Sequence, residues 1–417
     1  MFESCPSPDK PGSFGVLGGA KFVLGVAGDI AAYKAADLCS MLVQAGVNVE
    51  VILTPRSLQF VQPLLCRGLT QRPVHTLASE HWSEGSAGHV TLTPDVEALV
   101  VAPTSANTLA RLALGQADDL LGMVALASHA PLLLAPAIKH SIWHHPAVQV
   151  HVETLRSRGA LVVGPNSSRP ASRMNGDGRL APVDRIVGAV RLLLGRSDSL
   201  GWTRIAVTAE PTHEPLDPVR FLGNRSSGQM GFAIAQQLID CGSAVHLVSG
   251  STARQPPIGA EVTRIEPAHE MASATHAAVE GANALVMTAA VADFRPESAS
   301  AHKIKKRPDQ QELELPLVRN PDIFASIDRP GLVKIGFAAE TENLVGAAEE
   351  KLRSKGLAMI VANDAVSTMG SERSTATLIR PGRPARNVSN VSKVELALLS
   401  ADEVVDLVHR PMGERPR

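Results

Sequence analysis

Short, near-continuous apolar runs alternate with helical patterns along the whole chain. Lys21–Ala27 (KFVLGVA), Val47–Leu53 (VNVEVIL), Ala98–Ala102 (ALVVA) and Leu132–Ala135 (LLLA) read as strands buried on both faces. Between the first two, Ile30–Ala45 carries Leu38, Met41 and Leu42 at helical spacing and stops before Gly46, the residue type that closes helices in the left-handed conformation. Strand, helix, strand with fully apolar strands predicts a parallel sheet covered by helices. The most apolar stretch, Leu120–Ile138, is broken by His129, Pro131 and Pro136. It reads as a buried helix followed by a core strand, not as a membrane span. After Leu193–Gly201, a short polar linker, the pattern restarts with Arg204–Thr208, a helix around Met230–Cys241, and runs at Val245–Val248, Ala284–Thr288, Val333–Gly336 and Met359–Val361. The expected organisation is a flexible N-terminus over 1–20, then two doubly wound α/β domains over 21–195 and 203–410, with the tail frayed from Pro411.

Composition narrows the function classes. A length of 417 residues gives two domains ample core. With 40 basic against 41 acidic residues, the net charge of −1 lacks the basic excess of a nucleic-acid binder, and a single Tyr within 3% aromatics leaves few stacking platforms. Cys5, Cys39, Cys66 and Cys241 are scattered, without CxxC or metal spacing, which argues against a disulfide framework. Met1–Gly19 is rich in Pro, Gly and Ser and does not read as a signal peptide. A soluble cytoplasmic protein, with neither membrane nor nucleic acid as partner, is expected. His140, His144 and His145 (HSIWHHP) include two His four apart, but no third ligand and no HExxH accompany them. They read as a loop packed under Trp143, and no metal ligand is assigned.

Candidate chemistry in the second half begins at Asp217–Phe221 (DPVRF) and Asn224-Arg225-Ser226-Ser227-Gly228, just before a helix. Ser-Ser-Gly entering a helix is either an ordinary N-cap or an anion site built from hydroxyls and free N–H groups. Ala289–Phe294 (AAVADF) follows a buried strand, so Asp293 sits where open α/β sheets bind ligands. Lys303-Ile304-Lys305-Lys306-Arg307 would by itself be a solvated loop, and Asn320-Pro321-Asp322-Ile323 a turn. Gly336–Thr341 (GFAAET) ends a strand and caps the next helix, exposing Phe337 where a base could stack. On that helix Lys351 and Lys355 share a face and repel weakly; near the helix C-terminus they either complement the dipole or grip an anion together.

In this order the motifs closely resemble phosphopantothenate–cysteine ligase, over about Arg204 to Asp364; the bacterial form is fused behind a flavin decarboxylase. The resemblance implies that CTP, with Mg²⁺, activates the carboxylate of 4′-phosphopantothenate and that the amine of cysteine then attacks the acyl-cytidylate. It implies that Asn224 stabilises that acyl-cytidylate and that Lys303 serves the second step. Met287, Thr288, Ala289, Asp293, Lys303, Asn320, Pro321, Asp322, Ile323 and Phe337 would bind the nucleotide, and Lys351 and Lys355 would clamp its triphosphate. Cations and a divalent metal suit a carboxylate attacking an anionic phosphate. The chain departs from the family at Glu210 (usually Gly), His213 (usually Arg) and Gln229 (commonly Lys). A carboxylate beside an anion site is unfavourable unless turned outward.

In the first half, Gly25–Lys34 (GVAGDIAAYK) joins the first strand to its helix, Gly88-His89 follows, and Ala102–Thr108 (APTSANT) comes after the Ala98 strand. Order and spacing resemble the homo-oligomeric flavin-containing cysteine decarboxylases, over about Lys21 to Leu180. The resemblance implies a flavodoxin-like, Rossmann-like domain in which Gly28, Thr54, Ser105, Asn107 and Thr108 hold FMN and His89 is the active-site histidine. The family's Pro-Ala-Met-Asn reads Pro136-Ala137-Ile138-Lys139, so Lys139 replaces the substrate-binding Asn. Ser172, in Pro170–Gly176 (PASRMNG), replaces the cysteine that donates a proton, and a hydroxyl is a far weaker acid than a thiol. Ala27 and Asp29 stand where the family has Ser and Gly. Three readings remain open: an active decarboxylase, a flavin-binding or empty scaffold behind a working ligase, and a regulatory flavoprotein of the halotolerance type. A homo-oligomer is implied in each.

Overall fold

The computed structural model describes residues 15–76, 88–167, 177–195, 200–305, 312–340, 343–364, 371 and 373–409. The chain divides into two compact units between Gly195 and Arg196.

The first unit is a six-stranded parallel sheet. Its strands are β1 (Lys21–Val26), β2 (Asn48–Leu53), β3 (Val74–His75), β4 (Ala98–Thr104), β5 (Leu132–Pro136) and β6 (Leu161–Val162), in the order β3-β2-β1-β4-β5-β6. A short hairpin of β7 (Asn166–Ser167) and β8 (Asp177–Arg179) follows. Its helices are α1 (Ala35–Gln44), α2 (Pro63–Thr70), α3 (Gly88–Leu92), α4 (Ala106–Leu114), α5 (Leu120–Ala127), α6 (His140–Trp143), α7 (Pro146–Ser157) and α8 (Val183–Gly195). Val23, Leu99, Leu121, Leu134 and Val152 meet in the core between sheet and helices. Ile30–Gln44 is not one α-helix. The Asp29 carboxylate accepts the Ala31 N–H at 2.8 Å, tightening Ile30–Lys34 into a 3-10 turn before α1 starts. At the other end Gly46 has φ +83°, and the N–H of Val47 donates to Leu42 O. The His140–Trp143 segment, expected as a loop, is a helical turn whose Trp143 is buried.

The main sheet of the second unit has eight strands among the described residues. They are β9 (Arg204–Ala209), β12 (Ala244–Ser249), β13 (Glu261–Arg264), β14 (Ala284–Met287), β17 (Val333–Glu340), β18 (Met359–Asp364), β19 (Arg373–Ile379) and β20 (Arg386–Ser392). Their order is β13-β12-β9-β14-β17-β18-β19-β20, parallel through β18 and antiparallel thereafter. Two small hairpins, β10 (Glu214–Pro215) with β11 (Phe221–Leu222) and β15 (Phe294–Pro296) with β16 (Leu317–Arg319), stand apart from it. The helices are α9 (Gln229–Asp240), α10 (Ala268–Val279), α11 (Ile323–Ser326), α12 (Leu344–Ser354) and a final one over Lys393–His409. Strand β17 runs to Glu340, past the expected end at Gly336, because β18 pairs with it through Glu340–Asp364. No helix of the described residues is long and apolar enough to cross a membrane. Cys39 and Cys66 are buried free thiols, whereas Cys241 is disulfide-bonded, a pairing the scattered spacing did not suggest.

Candidate functional site

Both sheets have a topological switch point, between β1 and β4 in the first unit and between β9 and β14 in the second. There the crossovers leave in opposite directions and open a crevice at the carboxyl ends of the strands.

In the second unit the loops leaving β9 and β14 continue to pair beyond the sheet. Pro211 bridges Ala290, the N–H of Ala290 donates to Glu210 O (3.2 Å), that of Thr212 to Ala290 O (3.3 Å), and that of Ala292 to Thr212 Oγ1 (3.0 Å). Asn224 ties the NRSSG loop to this ladder: its Nδ2 donates to Ala290 O at 2.8 Å, while its Oδ1 accepts the Ser226 N–H at 3.2 Å. Helix α9 begins directly behind, and a Cβ on Gly231 would lie 2.4 Å from Thr288 Oγ1 and 2.5 Å from Ala209 Cβ. Only glycine therefore lets the helix start sit against the strand ends.

Asn320 is buried and holds the third loop. Its Nδ2 donates to Ala292 O and its N–H to Asp293 O, both at 2.8 Å, so the Asn320–Ile323 turn lies beside Asp293. The Asp322 carboxylate caps α11 and pairs with Lys355 at 3.0 Å. Burial pushes Asp322 up, but the hydrogen bonds from Lys355 and from the Ala325 N–H prevail and leave it below the usual carboxylate range. Lys351 pairs with Glu340. Both expected clamp lysines are thus held by carboxylates that an anion would have to displace. Phe337 is half-buried inside β17, between Gly336 and Ala338, not exposed at a strand end.

Lys303 is exposed, and its loop is anchored through its neighbour. The buried Asp217 carboxylate accepts the N–H groups of Val219, Arg220 and Ile304 and pairs with the Arg220 guanidinium, which in turn donates to Ile304 O. The Arg220 hydrogen bond, aided by these N–H groups, holds Asp217 far below the usual carboxylate range. A lowered folded-state value means stability present above the unfolded value and lost only as pH falls through the folded one, so the anchor stays charged at neutral and mildly acidic pH. Asp217→Asn is expected to free the 303–305 loop, read as faster amide exchange at Ile304; unchanged exchange there would refute the anchor.

Of the two orientations open to Glu210, the structure shows the inward one: only 3% exposed, at φ +71°, its carboxylate lies against the Cα of Gly228. His213 stacks on Phe221 with centroids 3.7 Å apart, and Gln229 is the first residue of α9. The positive charges of Arg254 and Arg264 act on Glu210 and oppose its burial, and no sequence motif pointed to them.

In the first unit the Ala27 N–H donates to Pro103 O (3.1 Å), joining the two loops of the switch point. Ser105 caps α4, its Oγ 2.9 Å from Thr108 Oγ1 and 3.2 Å from Thr108 N, and Asn107 is exposed on the same turn. The Thr54 hydroxyl donates to Val26 O, and a Cβ on Gly28 would lie 2.4 Å from Arg56 Cβ. A capped helix start with paired hydroxyls and an exposed amide at a switch point fits a flavin. Asp29 is engaged with its own helix start, and burial raises it above the ordinary range. Ala137 N–H donates to Thr104 O (3.1 Å), setting the turn that ends in exposed Lys139 beside the Ser105 turn. His89 falls in α3, and its side chain lies outside the described residues, as does Ser172. His140 and His144 have ring centroids 4.4 Å apart, and among the described residues no three metal-ligating side chains converge.

These two crevices define a flavoprotein-type unit followed by a second ligand-binding α/β unit. Residues 15–195 match the Flavoprotein family and residues 200–408 the DNA/pantothenate metabolism flavoprotein C-terminal domain. The chain is 35% identical over 398 residues to the coenzyme A biosynthesis bifunctional protein CoaBC of Haemophilus influenzae, covering 94% of this chain and 98% of that one. It is 41% identical over 360 residues to CoaBC of Mycolicibacterium smegmatis, covering 82% and 86%. Among solved structures, the C-terminal domain of a CoaBC is 34% identical, with a TM-score of 0.43, covering 51% of this chain and 98% of that domain. The chain belongs to the family of coenzyme A biosynthesis bifunctional proteins, which join a phosphopantothenoylcysteine decarboxylase to a phosphopantothenate–cysteine ligase.

Proposed function

We propose that the second unit binds CTP with Mg²⁺ in the β9–β14 crevice and joins the carboxylate of 4′-phosphopantothenate to CMP, releasing pyrophosphate. The cysteine amine then displaces CMP to give phosphopantothenoylcysteine. One observation carries this reading: Asn224 and Asn320 each donate to a carbonyl of the 290–292 loop, drawing all three ligand-facing loops to one point. Asn224 is suited to stabilise the charge that builds on the acyl-cytidylate, and Lys303, held through Ile304 and Asp217, to serve the amine step. Lys351 and Lys355 would exchange Glu340 and Asp322 for triphosphate oxygens.

The first unit would hold FMN through Ser105, Asn107 and Thr108, with Gly28 and Thr54 shaping the loops. When bound, FMN supplies a two-electron acceptor for the cysteinyl thiol, whose thioaldehyde stabilises the charge left as CO₂ departs. Lys139 pairs with a carboxylate as a point charge, without the directed amide of the family's Asn. Ser172 holds the final proton too tightly, so return to the thiol is the slow step. Small molecules are the partners, and the chain works as a cytoplasmic homo-oligomer; Ile30 and Leu64, more than three-quarters exposed, suit such contacts.

The test is purified protein with 4′-phosphopantothenate, cysteine, CTP and Mg²⁺, its products read by mass spectrometry. CMP, pyrophosphate and phosphopantothenoylcysteine are expected. Absence of CMP would sink the ligase reading.

A further inference from the structure

Resting on the ligase reading of this crevice, we infer that Glu210 is a built-in occupant of a phosphoryl-oxyanion subsite, which a ligand's phosphate must displace. The first N–H groups of an α-helix lack intrahelical acceptors and carry the positive end of its dipole, so the start of the 12-residue α9 favours an anion. The Glu210 carboxylate lies there: a Cβ on Gly228, at φ +59°, would come within 1.9 Å of its carboxyl carbon. The charges of Arg254 and Arg264 and the Thr252 hydroxyl favour the carboxylate from nearby, without a direct ion pair to it. Arg254 is fixed by its Nε–H donating to Ser227 O (3.1 Å), and Arg264 by contacts with Ser249 Oγ and Arg254 O.

This carboxylate fits its place poorly. Its backbone is left-handed, which strains any residue with a Cβ. It is 97% buried, by the 3% exposure above, yet its Oε1 has no hydrogen-bond partner. A carboxylate placed as a strut would have both oxygens satisfied. Burial also raises its proton affinity, which Thr252 and the two arginines only partly offset. Helix start, two guanidiniums and a hydroxyl together describe a cradle for a tetrahedral oxyanion with more acceptors than a carboxylate brings. The subsite suits either a nucleotide polyphosphate or the phosphate monoester of the acyl substrate.

Dissociation constants of pyrophosphate, CTP and 4′-phosphopantothenate would be measured calorimetrically on the full chain and on Glu210→Gly and Glu210→Gln. Glycine removes charge, bulk and strain, and at least one of the ligands should bind on the order of tenfold tighter; glutamine removes the charge alone and should give a smaller gain in the same ligand. Gain for pyrophosphate and CTP assigns the subsite to the polyphosphate, and gain for 4′-phosphopantothenate alone assigns it to the monoester. Thermal stability of the glycine variant should match or exceed wild type. Lower stability with no tighter binding would make Glu210 a strut and overturn the inference. If the wild type releases CMP while both variants bind all three ligands no better, the inference fails and the ligase reading survives.

Discussion

Asn224→Asp is expected to lower CMP release at saturating CTP by roughly 10²- to 10³-fold, the usual effect of losing a preorganised donor at a site of developing negative charge. Aspartate keeps the oxygen that accepts the Ser226 N–H, so the turn of the NRSSG loop survives. It loses the Nδ2 donor to Ala290 O and sets a carboxylate against that carbonyl, where the nucleotide and acyl phosphates would gather. Asn224 is exposed, so the melting temperature should move by only a few degrees, and loss of activity would not be loss of fold. Asn224→Ala, which removes both contacts, should be as inactive. CMP release within about threefold of wild type in Asn224→Asp would exclude Asn224 from catalysis.

Ser172→Cys should have the second large effect, as a gain. A general acid matched to its task contributes about 10²- to 10⁴-fold, and the thiol, with a pKa near 8.5, is matched where a serine hydroxyl is not. With FMN and phosphopantothenoylcysteine, the wild type should release CO₂ and accumulate the unsaturated enethiol. The variant should convert the same substrate to 4′-phosphopantetheine at least about a hundredfold faster. Mass spectrometry separates the two products by two hydrogens. A wild type that forms 4′-phosphopantetheine as fast as Ser172→Cys would show that another group delivers the proton. Lys139→Asn, tested separately, reports substrate binding and should act on KM more than on kcat.

The two units differ in how openly they display their chemistry. In the ligase unit, DPVRF, NRSSG, AAVADF and NPDI are local in sequence, each a loop leaving a strand or entering a helix, and local geometry already places them at the carboxyl edge of a parallel sheet. Their contacts are not local: Asn224 to Ala290 spans 66 residues and Asp217 to Ile304 spans 87. Proximity in the fold, not spacing, explains how Asp217 and Arg220 come to hold the lysine loop.

Sequence alone determined the architecture. Apolar runs of four to eight residues separated by helical periods admit little besides parallel sheets, and the glycine and Ser/Asn positions mark the turns between them. Three strands escaped it: Glu261–Arg264, at one edge, is half-exposed and polar, and the antiparallel pair Arg373–Ile379 and Arg386–Ser392, of which the second is the other edge, each opens on an exposed Arg and interleaves polar residues. Pairing across the sheet also decided where β17 ends, since a strand continues while partners satisfy its backbone. The direction of Glu210 was likewise beyond the sequence. A carboxylate near an anion site should turn to water, yet Gly228, Thr252, Arg254 and Arg264 come from other loops and strands to receive it. Which charges meet is settled only when distant segments are packed together, because Coulomb interactions depend on distance through space and on burial, and neither is written in local sequence.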